Sequence, residues 1–192
     1  MRLLKKTLLI GLWIAISLIW IIGGLFYFQA SNSASEIPRP IIFKINKGMT
    51  LKQVAYALAY KDLIRSPSAF RLVAYLQNKQ SKIQAGEFEL SPSMLPLQLL
   101  NRITSGQAIL HSVTIPEGYR IEEIASILKD KKLADPRRFI VETQNKNLIA
   151  SMSIPGNSLE GYLFPDTYYF SKGADEKVIV KTMLDNFIQK TL

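Results

Sequence analysis

The chain has 192 residues, with 24 Lys or Arg against 15 Asp or Glu, a net charge of +9, no cysteine and one histidine. Without cysteine there is no disulfide framework and no thiolate chemistry, and with His111 as the lone imidazole a zinc site has almost no ligands to draw on. A Ser-His-Asp triad would have to use His111, whose setting AILHSVTIP reads more simply as an alternating strand.

In chain order, residues 1–7 form a short basic tail. Leu8 to Phe28 follows as twenty-one uncharged residues, long enough to cross the hydrocarbon core of a bilayer as one helix. Arg2, Lys5 and Lys6 precede it without an acidic partner, so the positive-inside bias keeps Met1 in the cytoplasm and sends everything after Ser31 to the far side. The apolar run is longer than that of a cleaved leader, although Ala30 to Ala34 offer small residues. Residues 29–40 are small, polar and proline-bearing, a linker.

Folding is expected to begin at Ile41. Ile45-x-x-Gly48-x-x-Leu51-x-x-Val54-Ala55-x-x-Leu58-x-x-Lys61-x-Leu63 recurs seventy residues later as Ile115-x-x-Gly118-x-x-Ile121-x-x-Ile124-Ala125-x-x-Leu128-x-x-Lys131-x-Leu133. Ser66-Pro67-x-x-Phe70 then recurs as Asp135-Pro136-x-x-Phe139. Each copy reads as a strand, a glycine turn and a helix with apolar positions at i, i+3, i+4 and i+7, followed by a second helix with a Ser or Asp cap and Pro at its first position. A strand over Ala85 to Leu90 and a helix ending near Ser105 complete the first unit, which spans 41–107 and resembles the sugar-binding LysM module.

The second copy, in 108–192, continues through a polar loop at Asn145 to Asn157 into SLEGYLFPDTYYF, from Ser158 to Phe170. Glu160 there sits beside Leu159, Gly161, Tyr162, Leu163 and Phe164, and is expected to face low-dielectric surface that favours the protonated acid. Asp166, in the Pro165-Asp166-Thr167 turn, reads as a residue bonding its own backbone rather than as a catalyst. Tyr162, Phe164, Tyr168 and Tyr169 are candidates for stacking on sugar rings, with strand alternation sending half of them to each face. A helix from Asp175 to Lys190 closes the chain, with Val180, Met183, Leu184, Phe187 and Ile188 on an apolar stripe that nothing downstream covers.

Charge is uneven. Pro40 to Leu110 holds nine Lys or Arg against three Asp or Glu, whereas His111 to Leu192 holds eleven of each. The basic excess therefore suits anionic head groups or an acidic polymer near the membrane, and no nucleic-acid motif accompanies it.

The order of these parts, with IPEG at Ile115 to Gly118 and LEGYLFPDTY at Leu159 to Tyr168, resembles the MltG (YceG-like) family of endolytic murein transglycosylases. The resemblance implies an α+β fold class: a single N-terminal transmembrane helix, a LysM-like module and the first part of a catalytic domain that runs on in longer members. It implies that Glu160 is the catalytic acid/base, with no cofactor and no metal. The substrate would be peptidoglycan glycan strands, cleaved between N-acetylmuramic acid and N-acetylglucosamine to leave a 1,6-anhydro end. It also implies a single-pass position in the bacterial cytoplasmic membrane, the main domain outside, beside peptidoglycan synthases. Glu117, in the other matched string, reads as turn structure. The alternative from the residues alone is a membrane-anchored, non-catalytic wall-binding or scaffold protein.

Overall fold

A computed structural model describes residues 31–151 and 155–191, together with 13, 14, 16–18, 20, 21, 23, 24 and 28. It is a mixed α+β fold. Strand β1 (Ile41–Ile45) leads to helices α1 (Leu51–Tyr60) and α2 (Pro67–Leu76), then β2 (Gly86–Leu90) and α3 (Pro96–Thr104). Strand β3 (Leu110–Thr114) leads to α4 (Ile121–Asp130), α5 (Pro136–Thr143), the short α6 (Lys146–Ser151), β4 (Thr167–Ser171) and α7 (Glu176–Thr191). β1 pairs with β2, and β3 pairs antiparallel with β4 in the register Leu110 opposite Ser171 through Thr114 opposite Thr167. The predicted span over 8–28 lies largely outside the described residues. Its described members are helical, with Trp13, Ile14, Leu18, Trp20 and Ile21 exposed, and among the described residues no helix is long and apolar enough to cross a membrane.

The fold comprises two compact units whose sequences interleave: 1–42, 49–83 and 89–106 form the first, and 43–48, 84–88 and 107–192 the second. In the first, Val54, Leu58, Leu63, Phe70, Leu99, Leu100 and Ile103 are buried. In the second, the core runs from Val113 and Ile115 through Leu128, Phe139 and Leu159 to Leu184.

The repeat seen in the sequence recurs bond by bond. Gly48 and Gly118 both take positive φ, +85° and +78°, where a Cβ would be strained. In α1 the third residue, Gln53, reaches back to the Thr50 backbone N–H, 2.8 Å; in α4, Glu123 does the same to Arg120, 2.7 Å. Leu51, Val54, Ala55 and Leu58 are buried in one copy, and Ile121, Ile124, Ala125 and Leu128 in the other. Both helices end in a left-handed residue, Asp62 and Lys132. The next residue bonds back to the helix, Leu63 N–H to the Leu58 carbonyl at 2.9 Å and Leu133 N–H to Leu128 at 2.8 Å, which satisfies carbonyls that the helix end leaves open. Ser66 and Asp135 then accept from Ala69 and Arg138 as caps of α2 and α5, each with Pro at the first helical position.

Two expectations change in the second unit. The polar loop after Asn145 contains α6, started by the Asn145 side chain accepting from Asn147 N–H. The apolar stripe of α7 is covered within its own unit: Ile179, Val180, Met183 and Leu184 are buried, and Ile188 packs against the same core. Glu176 in the first turn of α7 is buried as well. Its carboxylate takes a 3.0 Å bond from Lys47, between β1 and α1, and a 3.2 Å bond from the Asp135 backbone N–H. Burial works to raise its pKa, and Lys47 and the backbone donors outweigh that, so it titrates below its ordinary value.

Gly173, between β4 and α7, shows where the fold is tight. Its φ is +93°, and a Cβ there would lie 2.9 Å from the Ala85 Cβ. Gly118 has the same left-handed geometry with open space around it. Gly118→Ala should therefore cost only the backbone term, about 1 kcal/mol, whereas Gly173→Ala adds a steric clash of about 1–3 kcal/mol more. Denaturant midpoints of the two variants check this; equal losses would contradict it.

Candidate active site

The LEGYLFPDTY string folds as an irregular turn leading into a strand, and burial dictates which side chains leave the core. Leu159 and Leu163, four residues apart, are both buried, and the Leu159 N–H is fixed to the Thr143 carbonyl at 3.0 Å. Tyr162 N–H closes back on the Leu159 carbonyl at 3.0 Å, and Gly161 supplies the positive φ, +81°, that this turn requires. Glu160 is thereby turned outward. It is exposed rather than enclosed by the neighbouring rings, which differs from the expected low-dielectric setting. The reason is the turn itself: with Leu159 and Leu163 sunk in the core and Gly161 reversing the chain between them, Glu160 falls on the outer side of the turn while Tyr162 folds back against the core.

The outward turn delivers the Glu160 carboxylate to a helix end. Its Oε2 accepts from the Ile121 backbone N–H at 3.4 Å, and Ile121 is the first residue of α4. The first N–H groups of a helix have no intrahelical partner, and Glu160 meets one of them. The two strings singled out in the sequence, Ile115 to Gly118 and Leu159 to Tyr168, thus meet at α4. Glu117 lies in the exposed turn before that helix, and Glu123 is engaged at the Arg120 N–H.

Asp166 is fully committed elsewhere. One oxygen accepts from its neighbour Thr167 N–H at 2.7 Å, the other from Lys190 Nζ at 2.7 Å and Asn186 Nδ2 at 3.0 Å, both on α7. Its backbone carbonyl accepts from Ile115 N–H at 2.9 Å. The Lys190 bond, with help from Asn186 and Thr167, lowers its pKa from 3.8 to about 2. The turn reading from sequence holds for Thr167; the two α7 partners are additional. Asn186 also donates to the Tyr168 hydroxyl, 3.1 Å, which donates in turn to the Phe164 carbonyl, 2.6 Å. Lys190 stands 5.0 Å over the Phe164 ring, and Tyr162 meets Phe187 edge to face at 5.3 Å.

The aromatic residues therefore divide by structure rather than by one strand. Tyr168 and Phe170 are buried and stacked in β4, whereas Tyr169 between them is 64% exposed. Tyr162 and Phe164 belong to the turn, half-buried against α7. Tyr169 is the ring presented to solvent, on a groove of about 500 Å³ also lined by Asp166, Thr182, Asp185, Asn186 and Gln189. His111 lies in β3, its Nε2 3.1 Å from the Glu87 carboxylate, which Lys172 also holds. Among the described residues no cluster of three or more His, Asp or Glu side chains is placed to hold a metal ion.

This arrangement brings Glu160 of the LEGYLFPDTY turn to the amino end of α4, whose first turn also carries the exposed Glu122 and Glu123, and makes it the candidate site of an α+β fold. The model of the YceG-like family matches residues 43–192, and the chain belongs to that family. It is 26% identical over 170 residues to the endolytic murein transglycosylase of Bacillus subtilis, covering 79% of this chain and 47% of that protein. It is 25% identical over 166 residues to the endolytic murein transglycosylase of Streptococcus pneumoniae, covering 73% and 30%. The chain thus spans about half the length, or less, of these relatives. A putative yceG-like protein of Listeria monocytogenes of known structure aligns over 80% of this chain and 55% of its own, with 25% identity and a TM-score of 0.41.

The depressed Asp166 pKa carries a pH signature. A carboxylate lowered on folding contributes stability that is complete above its unfolded value near 3.8 and is lost as pH falls toward about 2. Unfolding midpoints of the native chain should fall across that window, and Asp166→Asn, less stable at pH 7, should show a shallower fall. Identical pH profiles would contradict the bonding described for Asp166.

Proposed function

We propose that the chain acts on peptidoglycan as an endolytic lytic transglycosylase, with Glu160 as its one acid/base. The reading draws on its membership of the YceG-like family and on relatives named endolytic murein transglycosylases. The observation that carries it is the contrast between two carboxylates of one motif: Glu160 is exposed at the start of α4, while Asp166 is consumed by Lys190, Asn186 and Thr167. A hydrolytic glycosidase uses two carboxyl groups across the bond. Of the motif's two carboxylates Glu160 alone is open to a ligand, and one carboxyl group suffices for a chemistry that needs no activated water.

Protonated Glu160 donates to the oxygen bridging N-acetylmuramic acid and N-acetylglucosamine as positive charge develops at the muramyl C1. That bond breaks, and the muramyl C6 hydroxyl attacks C1, giving up its proton to the Glu160 carboxylate. The glutamate is regenerated, and the strand is left with a 1,6-anhydro end. Exposure of Glu160 suits this role because a long polymer must reach it from the side. The exposed ring of Tyr169, just after the motif, supports the same reading as a surface on which a sugar stacks.

In this reading residues 8–28 anchor the chain in the cytoplasmic membrane with Met1 inside, and the folded units lie outside. The β-α-α-β order of the first repeat, with its LysM likeness, holds glycan. Cleavage beside peptidoglycan synthases would then end nascent strands.

Incubation of the full chain with purified peptidoglycan should release anhydro-muropeptides detectable by mass spectrometry. General acid–base catalysis contributes on the order of 10² to 10⁴ in rate, so Glu160→Gln should reduce release by at least that factor with an unchanged circular dichroism spectrum. Undiminished release by the variant would overturn the role of Glu160. Pull-down of the native chain by insoluble peptidoglycan without any anhydro ends would favour the wall-binding alternative instead.

A further inference from the structure

The first unit holds a cavity that the proposed glycan chemistry does not use. It measures about 570 Å³ and is lined by Arg39, Arg65, Asp62, Ile37, Ile64 and Pro92, among others. One wall is the segment read from sequence as a linker, and in the structure that segment is fixed. The Ser33 carbonyl accepts from Arg65 Nε at 2.8 Å, Ser35 N–H donates to the Pro92 carbonyl at 3.0 Å, and Arg39 N–H donates to Ser91 Oγ at 3.1 Å. Arg65 also stacks at 5.4 Å over the ring of Phe28, the last residue of the predicted span. The cavity therefore opens where the chain leaves the apolar segment.

Its chemistry is cationic with an apolar rim. Arg39 and Arg65 are exposed, and neither takes part in any ion pair among the described residues; all six such pairs join residues of the second unit. Asp62 is the one acid on the lining and leaves a net positive site. A guanidinium carries five N–H donors in a fork suited to phosphate, and among the described residues Arg65 spends only its Nε, on Ser33. Ile37, 74% exposed, offers apolar surface at the rim, and Tyr60, 84% exposed with Lys61 5.8 Å over its ring, lies at the adjoining end of α1. Aromatic and basic side chains beside an apolar segment are the composition of a membrane interface.

We propose that this cavity binds the phosphate headgroup of an anionic phospholipid, with Arg39 and Arg65 as its donors. The site rests on the span reading only for its place beside a bilayer, and alkaline extraction of membranes tests that span separately. Bound lipid would hold the first unit against the membrane surface at a defined height.

The test uses the full chain in a non-ionic detergent, mixed with equal amounts of phosphatidylglycerol and phosphatidylcholine, with bound lipid read by native mass spectrometry. One phosphatidylglycerol should be retained with at least a tenfold preference. Arg39→Gln/Arg65→Gln should abolish the preference, whereas Lys52→Gln/Lys82→Gln, which removes the same charge elsewhere in the first unit, should keep it. Equal loss in both double variants would replace the site with diffuse charge and overturn the proposal, as would no preference in the native chain. Retention of inorganic phosphate without any lipid adduct would make it a free-phosphate site and overturn the lipid assignment.

Discussion

The bonding of Asp166 is the constraint on which the candidate site depends. Residues 158–166 belong to no helix or strand, so the direction of Glu160 rests on a few turn bonds and on the anchors at either end of the stretch. Leu159 and Leu163 sink two points of this stretch into the core. Asp166 ties its end to α7 through Lys190 and Asn186 and to the start of the α4 turn through the Ile115 N–H. The Phe164 N–H reaches the Met183 carbonyl on the same helix, 3.4 Å away. A carboxylate receiving charged and neutral donors together makes hydrogen bonds stronger than neutral pairs. Asp166 thus serves as an anchor, and Glu160 is left facing solvent at the start of α4.

That division of labour also explains why a repeated unit yields two different results. Both copies deliver a glycine turn into a helix amino end with the same buried positions. In the first copy the third helical residue, Gln53, pairs with Thr50 and fills the cap. In the second, Glu123 still meets the Arg120 N–H but Arg120 offers no side-chain acceptor in return, and the Ile121 N–H is met by Glu160 from thirty-nine residues away. The N–H groups that a helix amino end leaves without an intrahelical partner are open to a side chain delivered from elsewhere.

Local grammar was the legible part of the sequence. The seventy-residue repeat, the Ser66-Pro67 and Asp135-Pro136 helix starts and the amphipathic faces depend on neighbours within one turn, and the structure reproduces them residue by residue. Asp166 reads correctly as a turn residue for the same reason. Its α7 partners do not, because Asn186 and Lys190 lie twenty and twenty-four residues away with no periodicity that links them. The Lys47–Glu176 pair spans 129 residues and is equally silent. The motif draws attention to Glu160, but its exposure was not legible. Composition placed it among rings, whereas the turn between the two leucines determined its direction. The stripe of α7 has no cover downstream in the sequence because the core that covers it precedes it in the chain.

Cleavage by one carboxylate, as proposed, consumes no water. Digestion of peptidoglycan by the full chain in water enriched in oxygen-18 tests it directly. The new muramyl ends should carry no heavy oxygen and should be lighter by one water than reducing ends. Ends that incorporate oxygen-18 would show hydrolysis, require a second activating group, and contradict the single-carboxylate mechanism.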